Sequence, residues 1–413
     1  MSGLVSYVDR ATLSIGSPMI REDLHLSVAQ MGMLLSVFLW AYAAAQLPIG
    51  VLVDKLGPRR LLAAGIVIWS SAQAAAGAAG SFGAFAAARV VLGVGEAPQF
   101  PSGIRVIRDW FNVRARGTAT GIVNCSSTLG TAVAGPLLTG LMLGLGWRWM
   151  FVVMAVAGLV IAALWYAFYR EPVTVALTET ERTYLDEGDI RLVRASIGFA
   201  EWRRLLGHRT TWGMIAGFFG VVYVTWVYTA WLPTYLESQR HLSIKTAGFA
   251  TAVPFIAGVA GALSGGWLTD LLARQRFSPV DSRRFPLVVS LLGMAACTGA
   301  AALVSATAVA LAFISCAMFL GCVASSASWA MVPVAAPPHA TASLGAIHNF
   351  GGYLGGALAP LVTGFVVQSS GSFVPAFLLA AAVAAGCAIA SFLTVRGPVA
   401  LPTGPAALPA SQG

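Results

Sequence analysis

The chain has 413 residues, of which 57% are hydrophobic and only 10% carry a charge. Soluble domains carry about 25% charged residues, so the composition excludes an ordinary soluble domain and predicts an all-α membrane protein. The net charge of +9 could indicate nucleic-acid binding, but basic residues that anchor cytoplasmic loops explain it better in a membrane chain. We therefore expect the lipid bilayer, and no nucleic acid, as a partner.

Long apolar runs follow one another, each near the roughly 20 residues that a transmembrane helix needs. The twelve predicted spans are residues 2–20, 30–53, 61–80, 83–104, 117–142, 148–169, 210–236, 246–271, 286–305, 308–333, 342–368 and 373–395. A charged segment separates the first six from the last six. The predicted domains are a six-helix bundle (1–170), a cytoplasmic linker (171–209), a second six-helix bundle (210–395) and a disordered cytoplasmic tail (396–413).

The basic residues are unevenly distributed between the predicted loops. If the first loop lies outside, the inner loops and the tail hold 19 of the 25 Lys and Arg residues, and the outer loops hold four. This bias predicts that both termini are cytoplasmic. Only Met1 precedes the first predicted span, with no basic residue before it, and we expect the N-terminus to be truncated.

The two halves also resemble each other in sequence. GVLVDKLGPRR (50–60) follows the second span, GWLTDLLARQR (266–276) follows the eighth, and Asp54 and Asp270 occupy equivalent positions in them. Repeats of six spans are typical of transporters that bind their substrate between two related bundles, near the middle of the membrane.

Four charged residues fall deep inside predicted spans: Asp9 and Arg10 in the first, and Arg89 and Glu96 in the fourth. Charges in the membrane interior are unfavourable and usually functional. Arg89 and Glu96 are seven residues apart, so both lie on one helix face, about 10 Å apart along the axis. Each could pair with Asp9 or Arg10 across a helix interface.

The four charges suit the coupling of an anion to a proton. A buried arginine stays charged and fits a carboxylate. Burial disfavours an ionised carboxylate and a nearby arginine favours it, so an anion that binds the arginine changes how tightly the acid holds a proton. The alternative is that the four residues only lock the first helix to the fourth. Buried ion pairs stabilise poorly compared with apolar packing, which favours the functional interpretation.

Several motifs resemble a known family. The loop GVLVDKLGPRR resembles the signature of the major facilitator superfamily, G-x-L-x-D-(R/K)-x-G-(R/K)-(R/K), with Pro58 where a basic residue is common. The stretches YVDRATLS, FLWAYAAAQLPIG, RVVLGVGEAPQFP, WFNVRARGTATGIVN and WLPTYL resemble the anion:cation symporter family, especially its bacterial transporters of galactonate, glucarate and hexuronates. The resemblance spans essentially the whole chain. It implies the major facilitator fold and a monomeric, multi-pass protein of the bacterial inner membrane.

The resemblance also implies roles for individual residues. Asp9 and Glu96 match proton-carrying carboxylates, and Arg10 and Arg89 match substrate-linked arginines. The other residues implied at the substrate site are Tyr7, Tyr42, Ser127, Trp329 and Asn349. The implied gating-loop residues are Asp54, Arg59, Arg60 and Asp270. Packing is the alternative for the aromatic residues, and a hydrogen bond between helices is the alternative for Asn349. Sugar-acid members often carry Gln where Ser127 stands, which leaves a less hydroxylated acid open.

The predicted function is uptake of a small organic anion, a sugar acid or hydroxy acid, by proton-coupled symport. An efflux antiporter of the same superfamily is an alternative, because GTAVAGPLLTG (130–140) partly resembles an exporter motif; a symporter for an aromatic or dicarboxylic acid is another. G-x-S-x-G, HExxH and Walker motifs are absent, so no enzyme and no catalytic residue is predicted. The proton gradient replaces a cofactor, and the five cysteines lack metal-ligand spacing.

Overall fold

The computed structural model describes residues 2–111, 116–186, 199–275, 277–337 and 340–399. The predicted all-α fold is confirmed for these residues. The helices are α1 Ser2–Asp23, α2 Val28–Ala78, α3 Phe82–Glu96, α4 Gln99–Trp110, α5 Arg116–Leu145, α6 Trp147–Phe168, α7 Glu179–Asp186, α8 Phe199–Leu206, α9 Arg209–Ser238, α10 Ile244–Ala250, α11 Ala252–Arg274, α12 Asp281–Leu303, α13 Thr307–Ala335, α14 Thr341–Ser370 and α15 Val374–Thr394. A 3-10 turn, Pro172–Thr174, follows α6.

Within the described ranges, nine helical stretches are long and apolar enough to cross a membrane. They are Val28–Gln46, Lys55–Ala78, Trp147–Phe168, Arg209–Ser238, Ile244–Arg274, Asp281–Leu303, Thr307–Ala335, Ser343–Ser370 and Val374–Thr394. The other three predicted spans coincide with α1, with α3 and the start of α4, and with α5. Charges reduce the apolarity of α1, and a turn at Ala97–Pro98 interrupts the fourth span. Among the described side chains of α5, Leu129–Leu145 is an apolar stretch.

A glycine joins the second and third predicted spans, which form the single element α2 with a break at Gly57. Gly57 has φ 76° and ψ 155°, a conformation that side chains disfavour. A Cβ at this position would also collide with the Glu171 carboxylate. Pro58, which has no N–H, begins the second part of α2. The two spans therefore follow each other almost without a loop.

The two halves meet closely at one end of the molecule, here called the α1–α2 end because α1 ends and α2 begins there. Ser14 Oγ donates to Ala230 O at 2.7 Å, and the Ala29 N–H donates to Gln368 Oε1 at 2.8 Å. A Cβ on Gly32 would lie 2.8 Å from Pro360 O. The absence of a side chain at Gly32 therefore lets α2 of the first half pack directly against α14 of the second.

The chain outside the bundles is partly helical. The predicted linker 171–209 contains α7, α8 and the start of α9, while residues 187–198 lie outside the described structure. The predicted disordered tail is corrected at its start: Val399 is buried, and its N–H donates to Ala335 O at 2.7 Å. Residues 396–399 thus extend the second bundle, and the rest of the tail, 400–413, is not described.

Candidate functional site

Helices α1 and α3 bury the four predicted charges in the first half. Asp9 and Glu96 are fully buried, and Arg89 and Arg10 are only 2% and 6% exposed. Gly93 permits this arrangement, because a Cβ on it would lie 2.5 Å from Phe38 O. With no side chain there, α3 packs tightly against α2 and carries its two charges towards α1.

Arg10 and Glu96 form a salt bridge between α1 and α3. Arg10 Nε donates to Glu96 Oε2 at 2.7 Å, and Ser6 Oγ donates to the same oxygen at 2.9 Å. Aromatic rings surround the guanidinium: its carbon lies 4.6 Å from the Tyr7 ring centre and 5.0 Å from that of Tyr42. Cation–π contacts stabilise a desolvated guanidinium, so Arg10 is held by both charge and aromatic packing.

Arg89 is buried with unused donors. Its guanidinium carbon lies 5.0 Å from the Phe38 ring centre, but its Nε and Nη1 have no hydrogen-bond partner within the described structure. Buried polar groups are normally hydrogen-bonded, and two adjacent guanidinium nitrogens with free N–H donors suit a carboxylate. Of the two arginines, Arg89 is therefore the one best prepared to receive an anion.

Asp9 contacts α2 through Gln73, which is also fully buried. Gln73 Nε2 donates to Asp9 Oδ1 at 3.2 Å and to Thr12 Oγ1 at 2.9 Å. Asp9 Oδ2 and Glu96 Oε1 lack a hydrogen-bond partner among the residues described. Each acid therefore has one bound oxygen and one oxygen that can take up a proton.

A tyrosine pair connects this cluster to the second half. Tyr353 on α14 donates its hydroxyl to the Tyr42 hydroxyl at 3.2 Å, and the two ring centres are 5.2 Å apart. Asn349, one turn earlier on α14, interacts with the Tyr353 hydroxyl. The polar path from the second half to Arg10 thus runs through Asn349, Tyr353 and Tyr42.

Trp329 lies in an aromatic group of the second half. Its ring is 43% exposed and packs edge-on against Phe218 and His348, with centres 5.6 and 5.2 Å away. His348 stacks on Phe218 at 4.4 Å, and its Nε2 lies 3.3 Å from Ser328 Oγ. Trp329 therefore presents a firmly supported aromatic face.

The remaining predicted residues fall into two groups. The side chains of Ser127, Asp54 and Asp270 lie outside the described structure. Arg59 donates from Nη2 to Tyr166 O at 2.9 Å and stacks on the Tyr166 ring, whereas Arg60 is exposed. The Arg59 guanidinium thus contacts α6 of its own half.

Sequence reasoning missed four residues of the site. They are Ser6, Phe38, Gln73 and Tyr353. An amide inside the apolar run SSAQAAAGAAG is a detectable signal for Gln73. A serine or an aromatic residue in a membrane helix gives no comparable indication.

Metal binding finds no support in the described residues, where no group of three or more His, Cys, Asp and Glu side chains could hold an ion. The cysteines described, Cys297, Cys316, Cys322 and Cys387, are free thiols. The chemistry of the site therefore depends on its carboxylates, guanidinium groups, amides and aromatic rings.

Buried opposite charges beside the contact between two helical bundles are typical of a membrane transporter. The chain belongs to the Major Facilitator Superfamily, whose family model matches residues 1–360. The predicted resemblance is thereby confirmed. Proteins of this superfamily are transporters rather than enzymes and generally need no cofactor, so the prediction that the chain is not an enzyme is also confirmed.

Several relatives carry sugar-acid names, including the following three. The chain is 40% identical to a probable L-galactonate transporter of Escherichia coli (strain K12), over 96% of this chain and 88% of the relative. It is 32% identical to a D-galactonate transporter of E. coli O6:H1, covering 95% and 93%. It is 31% identical to a probable galactarate/D-glucarate transporter of Bacillus subtilis (strain 168), covering 96% and 90%.

Solved structures share the fold. A bacterial homologue of the human lysosomal transporter Spinster, in an inward-facing and occupied conformation, matches with a TM-score of 0.74 and 19% identity, covering 95% of this chain and 93% of that one. A D-xylose–proton symporter matches with a TM-score of 0.73 and 14% identity, covering 96% of both chains. At these identities the likeness establishes the fold alone.

Proposed function

We propose that this protein takes up a sugar acid or a related hydroxy acid by proton-coupled symport. It acts as a monomer with twelve membrane spans and two cytoplasmic termini in a bacterial inner membrane. The observation that carries the proposal is the buried cluster of two acids and two arginines, in which two nitrogens of Arg89, Nε and Nη1, keep their donors unused. The sugar-acid names of the relatives support the substrate class.

Binding of the anion begins at Arg89. The substrate carboxylate accepts hydrogen bonds from its free Nε and Nη1, and Arg10 adds positive charge nearby. The aromatic faces of Tyr7, Tyr42 and Trp329 cover the carbon chain. Asn349 and Ser127 offer polar groups to its hydroxyls.

Proton coupling uses the two acids. A proton on Asp9 or Glu96 leaves the arginines in excess, which favours the substrate anion, and the bound anion in turn compensates the arginine charge. One proton therefore neutralises the charge of a monocarboxylate such as galactonate, and the two enter together. Glu96 shares Arg10 with the substrate, because its Oε2 accepts from Arg10 Nε.

Transport requires the halves to rock about the site, so that it opens to one side at a time. The contacts at the α1–α2 end, including that of Gly32 with Pro360, support a state closed at that end. In the reverse movement these contacts separate, and the gating-loop residues Asp54, Arg59, Arg60 and Asp270 act at the opposite end.

The test is uptake into proteoliposomes of L-galactonate, D-galactonate, galactarate and D-glucarate, with and without an inward proton gradient. Glu96→Gln is expected to reduce gradient-driven accumulation at least about tenfold, because a proton site is lost, while exchange of substrate without a gradient continues. Glu179→Gln, an exposed acid on α7, is the control and should behave as the wild type.

Full accumulation by Glu96→Gln would show that Glu96 carries no proton. Export of the acid against an opposing proton gradient would instead identify an antiporter. No uptake of any of the four acids would contradict the substrate class.

A further inference from the structure

Gln73 on α2 lies beside Asp9 in the fully buried region between α1 and α2. Its Nε2 is 3.2 Å from Asp9 Oδ1 and 2.9 Å from Thr12 Oγ1. The Thr12 hydroxyl donates to the backbone oxygen of Asp9 at 2.7 Å. These three contacts form a closed network around one face of Asp9.

The network fixes the orientation of the Gln73 amide. Thr12 has a single hydroxyl hydrogen, which the Asp9 carbonyl already accepts, so Thr12 Oγ1 can only accept a hydrogen bond from Gln73. The amide must therefore turn its NH₂ group, and not its oxygen, towards Thr12 and Asp9. The two hydrogens of Nε2 then serve the two acceptors, one each.

We infer that Gln73 is a positioning residue for Asp9: it stabilises the ionised carboxylate through Oδ1 and leaves Oδ2 as the oxygen that takes up the proton. Hydrogen-bond donation to a carboxylate favours its charged form. The buried Trp69 indole, also on α2, lies near the Asp9 carboxyl, but its Nε1 and Asp9 Oδ2 both lack a hydrogen-bond partner in the described part of the chain. Oδ2 is therefore the open position. The inference rests on the proposed function only in taking Asp9 as a proton carrier.

The charged groups that act on Asp9 from a neighbouring helix are Glu96 and Arg89, both on α3. Helices α5, α6 and α9 also pack against α1, and within the described structure they add no charged group to this set. Gln73 therefore adjusts the proton affinity of Asp9 from α2 without adding a charge that would compete for the substrate.

The variant Gln73→Met tests this inference, because it keeps the length of the side chain and removes the donors. The measurement is infrared spectroscopy of the purified protein without substrate, following the carboxylic-acid C=O band that Asp9→Asn removes. In Gln73→Met the band is expected to persist to a higher pH, with its midpoint raised by about one pH unit. Gln46→Met is the matched control, because that amide donates to a backbone oxygen, Ala97 O, at 3.2 Å.

Thr12→Val provides a second variant of nearly unchanged shape. It removes the acceptor that orients the amide, so it should raise the midpoint in the same direction by a smaller amount. If Gln73→Met fails to fold, Thr12→Val alone decides the question. An Asp9 band with the wild-type midpoint in a folded variant would overturn the inference.

The role of Gln73 and the proposed proton coupling can fail independently, and the measurements distinguish the two failures. A shifted Asp9 band together with uptake that ignores the proton gradient would leave the role of Gln73 standing and overturn proton coupling. Normal coupling, lost in Asp9→Asn, together with an unshifted band in Gln73→Met would overturn only the role of Gln73.

Discussion

The two halves of the molecule have related sequences but differ in buried charge. The first half buries Asp9, Arg10, Arg89 and Glu96. In α9–α15, none of the described Asp, Glu, Lys and Arg side chains is buried, and the buried polar residues there are Ser, Thr and His348. The second half contributes the aromatic and amide groups Trp329, Tyr353 and Asn349 instead.

This difference in buried charge affects how the two halves can move against each other. All four buried charges belong to one bundle and are formally neutral together, so the second half can move against the first without carrying a buried charge through the membrane. Moving a charge into a low-dielectric region is unfavourable, and a division of the charges between the halves would add that penalty to every rocking movement.

The largest effect is expected when the charge balance of the first half is broken. Arg10→Met leaves Glu96 buried without its cation, and breaking a buried pair in this way costs about 3–5 kcal/mol of folding stability.

Arg89→Met breaks no observed hydrogen bond, so it should destabilise the protein less but weaken anion binding about 10- to 100-fold. Thermal unfolding and equilibrium binding measure the two effects.

Arg182→Met, an exposed residue of α7, is the control for both measurements. Equal stability of Arg10→Met and the wild type would show that the Arg10–Glu96 pair does not hold the first half together.

A smaller effect is expected when the contact between the halves is disturbed. Gly32→Ala places a Cβ 2.8 Å from Pro360 O, and Gly364→Ala places one 3.1 Å from both Gly32 Cα and Val28 O. Overpacking costs about 1–3 kcal/mol, which should favour separation at the α1–α2 end and slow uptake about fivefold or more. Labelling of a cysteine introduced at Ala29 by an impermeant reagent should increase.

The glycine control is Gly140→Ala, because a Cβ there meets nothing within 4 Å. Unchanged labelling in both Gly32→Ala and Gly364→Ala would mean that this contact does not limit opening of the α1–α2 end.

The smallest effect is expected from the polar path between the halves. Tyr353→Phe keeps the ring and removes the hydroxyl that donates to Tyr42. A net hydrogen bond contributes about 0.5–1.5 kcal/mol, so substrate affinity should fall about two- to tenfold with stability nearly unchanged. Tyr223→Phe, a buried tyrosine of α9, controls for loss of a hydroxyl; an equal change in both variants would exclude a specific role for Tyr353.

The sequence predicts the charged part of this site better than the polar part. Asp9, Arg10, Arg89 and Glu96 are detectable because charges in apolar runs are rare, and helical spacing places Arg89 and Glu96 on one face. Gln73 escaped because the sequence does not show which neighbour a buried amide bonds. That choice depends on the packing of α2 against α1.

Helix boundaries are also only partly predictable from the sequence. Apolar length predicts the nine stretches that are apolar enough to span among the described residues, but the break between α3 and α4 and the break at Gly57 depend on local backbone geometry. Similarly, the composition of the tail predicts disorder from residue 396. The structure shows instead that Val399 is buried and hydrogen-bonded to Ala335 of the second bundle. This packing cannot be read from the composition.

The charges of α1 also bear on how the chain enters the membrane. Helix α1 is not among the nine described stretches that are apolar enough to span on their own, since a charged residue at mid-helix opposes insertion by about 2.5–3.5 kcal/mol. The carboxylate that compensates Arg10 is Glu96, the last residue of α3, which is synthesised 86 residues after Arg10. Stable insertion of the first helix during synthesis therefore depends on a helix that the ribosome has not yet made.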